Sequence, residues 1–404
     1  MNILFLHPNF PAQFLHLAMH FAREEGNRVF FLTKETNGSQ LRNVTVGIYK
    51  HSRETTEGIH HYVKPFEAAV LEGQAVARGM ADLAQQTDFV PDVIVGHTGW
   101  GSTLFTKEVY PKVPVVGYFE WYYRAFGSDV GYWPDEKVSE NDQMRIRCMN
   151  ATALLAYQTC DACYSPTEWQ RSQFPDFMRE QLSVAHEGVD TEFIRPQPGR
   201  KLVLPKVGLD LSEAEEVVTY LSRGFEPYRG FPQFMEAVRI LLARRPNCHV
   251  VIAGVDRSCY APAPKGTTWK EIEEKKGGYD KSRVHFTGHL TREEYQMFLQ
   301  SSTVHVYLTR PFVLSWSMVE AMSAGCALVA SKTPPVEEFA EDGVNALLAN
   351  FRAPAHIAMR IEEALEDAAL RKRLGKAARE TILERLDKRD CLRRQLNLIY
   401  GVLK

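Results

Sequence analysis

Residues 304–348 read VHVYLTRPFVLSWSMVEAMSAGCALVASKTPPVEEFAEDGVNALL. The run 305–308 is short and apolar enough for a buried strand. The loop 309–315 follows, and Ser315 or Ser317 is placed to cap a helix carrying Met318, Glu320, Ala321 and Ala324. Gly325 stands where a left-handed C-cap is wanted. Residues 326–330 form the next buried strand. Thr333 then caps a second helix, which opens on Pro334 and Pro335 as a first turn allows. A helix N-terminus just after a strand end is an anion site, because free amides and the helix dipole point the same way. Glu320 lies about one and a half turns into its helix. There it is off the anion site and placed to accept hydrogen bonds from a sugar diol.

Composition narrows the field. The 404 residues suffice for two domains of ordinary size. A hydrophobic share of 45% with 24% charged residues is that of a globular protein. The net charge of -2 gives no bulk electrostatic case for nucleic acid. The start, MNILFLHPNFPAQF, lacks a basic leader and a cleavage site and reads as a first strand. No stretch is long enough to span a bilayer. A cytoplasmic protein is expected, with peripheral membrane contact left open. The 7 cysteines show one C-x-x-C, Cys160 and Cys163, without the second pair or histidines that zinc would need. They read as small side chains in a reduced compartment. The pair His16 and His20 lacks the glutamate of a zinc-protease helix, and no metal site is expected.

In chain order, residues 2–6 form a strand, the loop HPNFPAQF follows, 15–23 form a helix and 29–33 the next strand. This order opens a doubly wound domain, whose ligands sit at strand ends. In the first loop Asn9, Pro11 and Gln13 stand where side chains can touch an acceptor. A long helix covers 66–84. The strand PDVIVG runs into HTGWGS, which carries His97, and the strand VPVVGY runs into FEWYYRAFGSD. The aromatic run 118–133 holds Glu120, Trp121 and Tyr123. It suits a sugar or lipid-linked acceptor, or equally a packed wall between domains. A single helix is expected over 141–160, and AHEGVDTEFIRP closes the first domain. The boundary is placed near Arg195, where RPQPGRKLVLP has linker composition. In the second domain a strand over 217–221 leads into SRGFEPYRGF and a helix over 232–243. Residues 256–280 read as a mobile loop. Residues 284–287 form a strand with Gly288 and His289 at its exit. Two helical runs end the chain, the last over 390–402.

The words VEAMSAGCALVAS, PPVEEF and DGVNALL, in that order and spacing, resemble the nucleotide-sugar segment of retaining family-4 glycosyltransferases with the GT-B fold. The resemblance is strong over 215–350 and topological over 1–195. It implies an α/β architecture of two Rossmann-like doubly wound domains facing across a cleft. The acceptor-side domain would be 1–195 and the nucleotide-sugar domain 196–385, with a helix over about 386–404 packing back on the first. It implies transfer of a sugar from a nucleoside-diphosphate sugar to a glycan, lipid-linked or protein acceptor, with retained anomeric configuration and no required metal or other cofactor. In the family's phosphate loop an Arg and, six residues on, a Lys precede a Gly; here these are Arg223, Arg229 and Gly230. Both arginines are the implied catalytic residues, and Glu120 is set beside them as a departure, since the family often holds a histidine near that place. Glu320, Phe312, Val313, Leu314, Ser315, Gly288 and His289 are implied on the donor side, and Asn9, Gln13, His97, Trp121 and Tyr123 on the acceptor side. The family has a glutamate eight residues before the one matched by Glu320, and this chain has Phe312 there. Amides of residues 313–315 are expected to take over part of its work. A non-catalytic GT-B protein that binds a nucleotide sugar or a protein partner is the rival. An NAD-dependent oxidoreductase would need a G-x-G-x-x-G that HPNFPAQF does not supply.

Overall fold

The computed structural model describes residues 1–403. The chain forms two compact units, Met1–Gly188 joined by the segment from Lys388 onward, and Val189–Asp387. The expected boundary at Arg195 thus differs from the observed one by a few residues. The cause is local bonding. The amide of Val189 donates to the carbonyl of Leu386 (2.8 Å), and the Arg379 guanidinium donates to the carbonyls of Thr191 (2.8 Å) and Ile194 (2.9 Å).

The first unit is built on a parallel sheet of β1 (Asn2–Leu6), β2 (Arg28–Thr33), β3 (Val44–Ile48), β4 (Val93–His97), β5 (Val115–Tyr118), β6 (Ala162–Ser165) and β7 (Leu182–Val184), ordered β3-β2-β1-β4-β5-β6-β7. Alternation along β1 shows why these runs are apolar throughout. Ile3 and Phe5 enter one core with Phe14, Phe31 and Val95, while Leu4 and Leu6 enter the other with Val76, Met80 and Ile94. The helix Lys64–Gln86 covers the second face, and the last helix, Lys388–Gly401, adds Ile399 to the first. Strand order reverses between β1 and β4, which makes their C-terminal ends the crevice of the unit.

The second unit has a small hairpin, β8 (Val203–Leu204) and β9 (Leu209–Asp210). Its main parallel sheet holds β10 (Glu216–Gly224), β11 (Cys248–Val255), β12 (Val284–Gly288), β13 (Val304–Tyr307), β14 (Leu328–Ser331) and β15 (Leu347–Ala349), ordered β12-β11-β10-β13-β14-β15. Here the reversal falls between β10 and β13, at the loops after Gly224 and Tyr307. Both units are therefore Rossmann-like.

Four local expectations need correction. The helix expected over 141–160 is two, Glu140–Met149 and Ala151–Thr159, meeting at Asn150. Residues 256–280 are not loop throughout: Thr268 and Glu271 form a capping box that starts the helix Trp269–Lys276. Three helices follow β15 rather than two, namely Pro354–Glu366, Ala368–Arg385 and Lys388–Gly401. Thr333 stands at the N-cap of Pro334–Glu337 but makes no side-chain cap, since its hydroxyl turns to the carbonyl of Thr309 (3.4 Å).

Candidate functional site

In the first unit, polar side chains gather where β1, β4 and β5 end. His7 follows β1 and His97 ends β4, each only 1% exposed. The Nδ1 of His7 accepts from the Asn9 amide (2.8 Å), and that of His97 from the Gly99 amide (3.0 Å). With Nδ1 committed as acceptor, the neutral ring carries its proton on Nε2. Burial, and next the neighbouring His97, push the His7 pKa well down, so His7 is a neutral donor. Its ring meets that of His97 edge-on at 5.1 Å. The His97 Nε2 points to Glu120, 3.6 Å from Oε2. The other oxygen of Glu120 accepts from Gln13 Nε2 (3.0 Å), and its backbone carbonyl from Gln170 Nε2 (2.8 Å). The first loop, the end of β4 and the exit of β5 thus converge on one carboxylate, which remains 26% exposed.

The remaining acceptor-side candidates frame that carboxylate less directly. Asn9 bridges to Glu35 through the backbone and fixes His7. Trp121 packs against Trp169 at 6.3 Å. Tyr123 is held by its backbone: Asn150 accepts from its amide (2.8 Å) and donates to its carbonyl (2.9 Å). The residue that breaks the helix is therefore the one that clamps the aromatic loop. His186 and Glu187 lie buried behind the site, where the Tyr118 hydroxyl donates to Glu187 (2.5 Å). Sequence reading passed over His7 and Trp100. The first residue after strand one, and a tryptophan between two glycines after strand four, were the available signals.

In the second unit the two arginines separate. Arg223 is exposed near the end of β10 and has no hydrogen-bond or ion-pair partner among the described residues. Arg229 is 7% exposed, and its Nη1 donates to the Tyr307 hydroxyl (3.0 Å), Thr309 Oγ1 (2.8 Å) and the Val313 carbonyl (3.1 Å). The same Tyr307 hydroxyl accepts from the Ser315 amide (2.9 Å). Arg229 therefore shapes the loop 309–315 from inside. The resemblance places Arg229 among residues that reach a phosphate; in the structure its Nη1 is taken up by that loop. The Ser315 amide is likewise occupied, whereas the amides of Val313 and Leu314 make no hydrogen bond among the described residues. Ser315, not Ser317, caps the helix Trp316–Ser323.

Phe312 lies in an aromatic cluster with Tyr228 (5.5 Å) and Tyr260 (5.1 Å), and the Tyr260 ring also faces the Arg229 guanidinium at 5.4 Å. Tyr260 belongs to the segment expected to be mobile. Glu226, fully buried, pins it: one carboxylate oxygen accepts the amides of Cys259 (3.1 Å), Tyr260 (2.8 Å) and Ala261 (2.7 Å). Glu320 accepts from the Tyr295 hydroxyl (2.7 Å). Burial raises its pKa to about 7, against the opposing pull of Tyr295 and Arg292. Gly288 adopts a left-handed φ of 69° at the exit of β12, the edge strand, with His289 exposed beside it. No group of three or more His, Cys, Asp or Glu among the described residues is arranged to hold a metal ion. No helix of the described residues is long and apolar enough to cross a membrane.

Two parallel α/β units, each with its polar groups at the reversal of strand order, define a protein of the GT-B class. The family models agree: residues 25–194 match the glycosyl transferase family 4 group and residues 207–381 the glycosyl transferases group 1. The chain belongs to the family-4 glycosyltransferases with the GT-B fold. Among solved structures, Anabaena HepE in complex with UDP-glucose is similar with a TM-score of 0.72 at 16% identity, over 99% of this chain and 100% of that one. The sucrose-phosphate synthase of Thermosynechococcus elongatus has a TM-score of 0.69 at 14% identity, over 100% and 99%. Among curated relatives, a D-inositol 3-phosphate glycosyltransferase of Streptomyces avermitilis is 24% identical over 204 residues, 50% of this chain and 42% of that protein. An uncharacterized glycosyltransferase of Methanocaldococcus jannaschii is 28% identical over 120 residues, 30% of this chain and 31% of that protein. The matched stretches span less than half of those two relatives.

Proposed function

We propose that this protein moves a glycosyl group from a nucleoside-diphosphate sugar to an acceptor hydroxyl, with retention of anomeric configuration. The bond between the anomeric carbon and the diphosphate oxygen breaks, and one from that carbon to the acceptor oxygen forms. The acceptor's proton leaves with the nucleoside diphosphate or passes to Glu120. The observation that carries the reading is the loop pair at the β10/β13 reversal. Among the described residues Arg223 has no hydrogen-bond or ion-pair partner there, and the Val313 and Leu314 amides make no hydrogen bond just before a helix start. A leaving diphosphate gains charge, so such contacts strengthen as the bond breaks and lower the barrier. Arg229 contributes by fixing the loop that presents those amides, and no bound metal is required for the neutralisation. Glu320 suits the ribose diol. Glu120, beside His97 and Gln13, suits the reacting hydroxyl.

The test is calorimetric titration with UDP-, GDP- and ADP-sugars of the parent and of Arg223→Ala. One nucleotide family is expected to bind. The variant is expected to lose roughly tenfold to a hundredfold in affinity, the value of a charge-assisted hydrogen bond. Parental affinity in the variant, or no binding of any nucleotide sugar at millimolar concentration, contradicts the reading.

A further inference from the structure

Trp100 is 42% exposed, yet it is held in place. Its ring lies over that of His97 at 4.2 Å with 36° between planes, and meets the ring of His7 at 5.2 Å. The loop that carries it is built for this. Gly101 has a φ of 98°, and a Cβ there would stand 2.2 Å from the Ala69 carbonyl oxygen. A Cβ on Gly99 would stand 2.9 Å from His97 Cε1. Only glycines let the loop fold down onto both the ring and the helix Lys64–Gln86. One residue further, the Ser102 hydroxyl donates to buried Glu72 (3.2 Å), which also holds Tyr49 and His51. An exposed tryptophan anchored on its flanks, with one face on a buried imidazole, keeps its other face ready for a ligand at little entropic cost.

Groups beside that face narrow the ligand's chemistry. Among the described residues the buried Nε2 atoms of His7 and His97 meet no partner at hydrogen-bond geometry, with Gln13 beside His7 and Glu120 3.6 Å from His97. Their proton assignment makes both of them donors. Glu120 supplies an acceptor 3.6 Å from His97 Nε2. A flat π face with donors and one carboxylate at its rim fits a ring that presents C–H bonds on its face and hydroxyls around its edge. The C–H hydrogens carry partial positive charge and meet the negative face of the indole. A bare cation would face two N–H donors.

The geometry points to Trp100 as the stacking platform of an acceptor subsite that takes a pyranose ring, so the acceptor is a carbohydrate rather than a peptide or an open-chain polyol. The word acceptor rests on the glycosyl-transfer reading; the subsite itself rests on the first unit alone. The experiment is saturation-transfer NMR and titration of the full chain with methyl α-glucopyranoside, sorbitol and tetramethylammonium, without donor. The pyranoside is expected to bind with saturation strongest on its ring C–H protons. Trp100→Ala is expected to weaken it at least about fivefold, with Trp100→Phe intermediate, as loss of an aromatic face implies. Phe177→Ala, an exposed aromatic elsewhere on the unit, is expected to leave binding unchanged. Melting curves show that each variant is folded. Three results overturn the subsite: no pyranoside binding, equal binding of sorbitol or preference for the ammonium ion, and parental affinity in both Trp100 variants. Pyranoside binding through Trp100 in a protein that turns over no nucleotide sugar would sink the transfer reading and leave the subsite standing. Transfer that ignores Trp100 would do the reverse.

Discussion

Replacing Arg229 by Ala separates a residue that shapes the loop 309–315 from one that would contact a nucleotide-sugar donor. Three acceptors depend on Arg229 Nη1, at 3.0, 2.8 and 3.1 Å. Two have fallbacks. Tyr307 still accepts from the Ser315 amide, and Thr309 Oγ1 still donates to the Arg310 carbonyl (2.9 Å). The Val313 carbonyl loses its one side-chain hydrogen bond among the described residues, and the space under Tyr260 opens. Hydrogen bonds to a charged donor contribute about 1.5–3 kcal/mol each, but removing a buried guanidinium also relieves its desolvation. The net loss is about 3 kcal/mol, so a unit of this size melts roughly 6–12 °C lower. Arg223→Ala removes an exposed side chain and is expected to change stability by no more than about 0.5 kcal/mol. Arg229→Lys is expected to fall between, since an ammonium keeps the charge but lacks the planar fork. The assay is a melting curve for each variant, paired with nucleotide titration. Arg229→Ala melting within about 2 °C of the parent, with only nucleotide affinity reduced, would refute the scaffold role and restore Arg229 as a direct phosphate ligand.

Three other perturbations follow from the geometry. Glu320 holds its proton in the folded state up to a pKa of about 7, above the ordinary 4.5, so its contribution is most favourable below 4.5 and is lost as pH rises toward 7. The loss amounts to at most about 3 kcal/mol, and Glu320→Gln is expected to flatten the melting temperature between pH 5 and 8; an unchanged slope contradicts the assignment. Glu226→Ala frees the amides of residues 259–261, and limited proteolysis is expected to cut this segment in the variant but not in the parent. Glu120→Gln keeps the bond to Gln13 possible and removes the charge. Turnover is expected to fall about a hundredfold with donor affinity intact, and parental turnover would exclude it from proton transfer.

Much of this architecture is written in local patterns. Apolar runs such as ILFL and VVIA can only be buried on both faces, and the Gly325 C-cap, with its φ of 74°, follows from one residue. What eluded sequence reading is long-range pairing. Nothing near Glu226 announces that it collects three amides from residues 259–261 and turns an apparent loop into a wall of the site. Nothing near Arg229 announces Tyr307 and Thr309, which are far away in sequence, at the end of β13 and in the loop after it. The helix break at Asn150 is invisible to periodicity, because its reason is the backbone of Tyr123. His7 and His97 are 90 residues apart in the chain, and no local pattern pairs them. Their meaning lies in the sheet order, which sets β1 beside β4 and so His7 against His97.

The activity proposed for this protein is glycosyl transfer from a nucleotide sugar. Proton NMR of the full chain incubated with the nucleotide sugar that binds in calorimetry, with and without a pyranoside acceptor, tests it most directly. Acceptor-dependent release of the nucleoside diphosphate is expected, together with a new anomeric signal whose coupling constant matches that of the donor's own anomer. A nucleotide sugar that binds yet stays intact with every acceptor would contradict the claim and identify a protein that senses nucleotide sugars without transferring them.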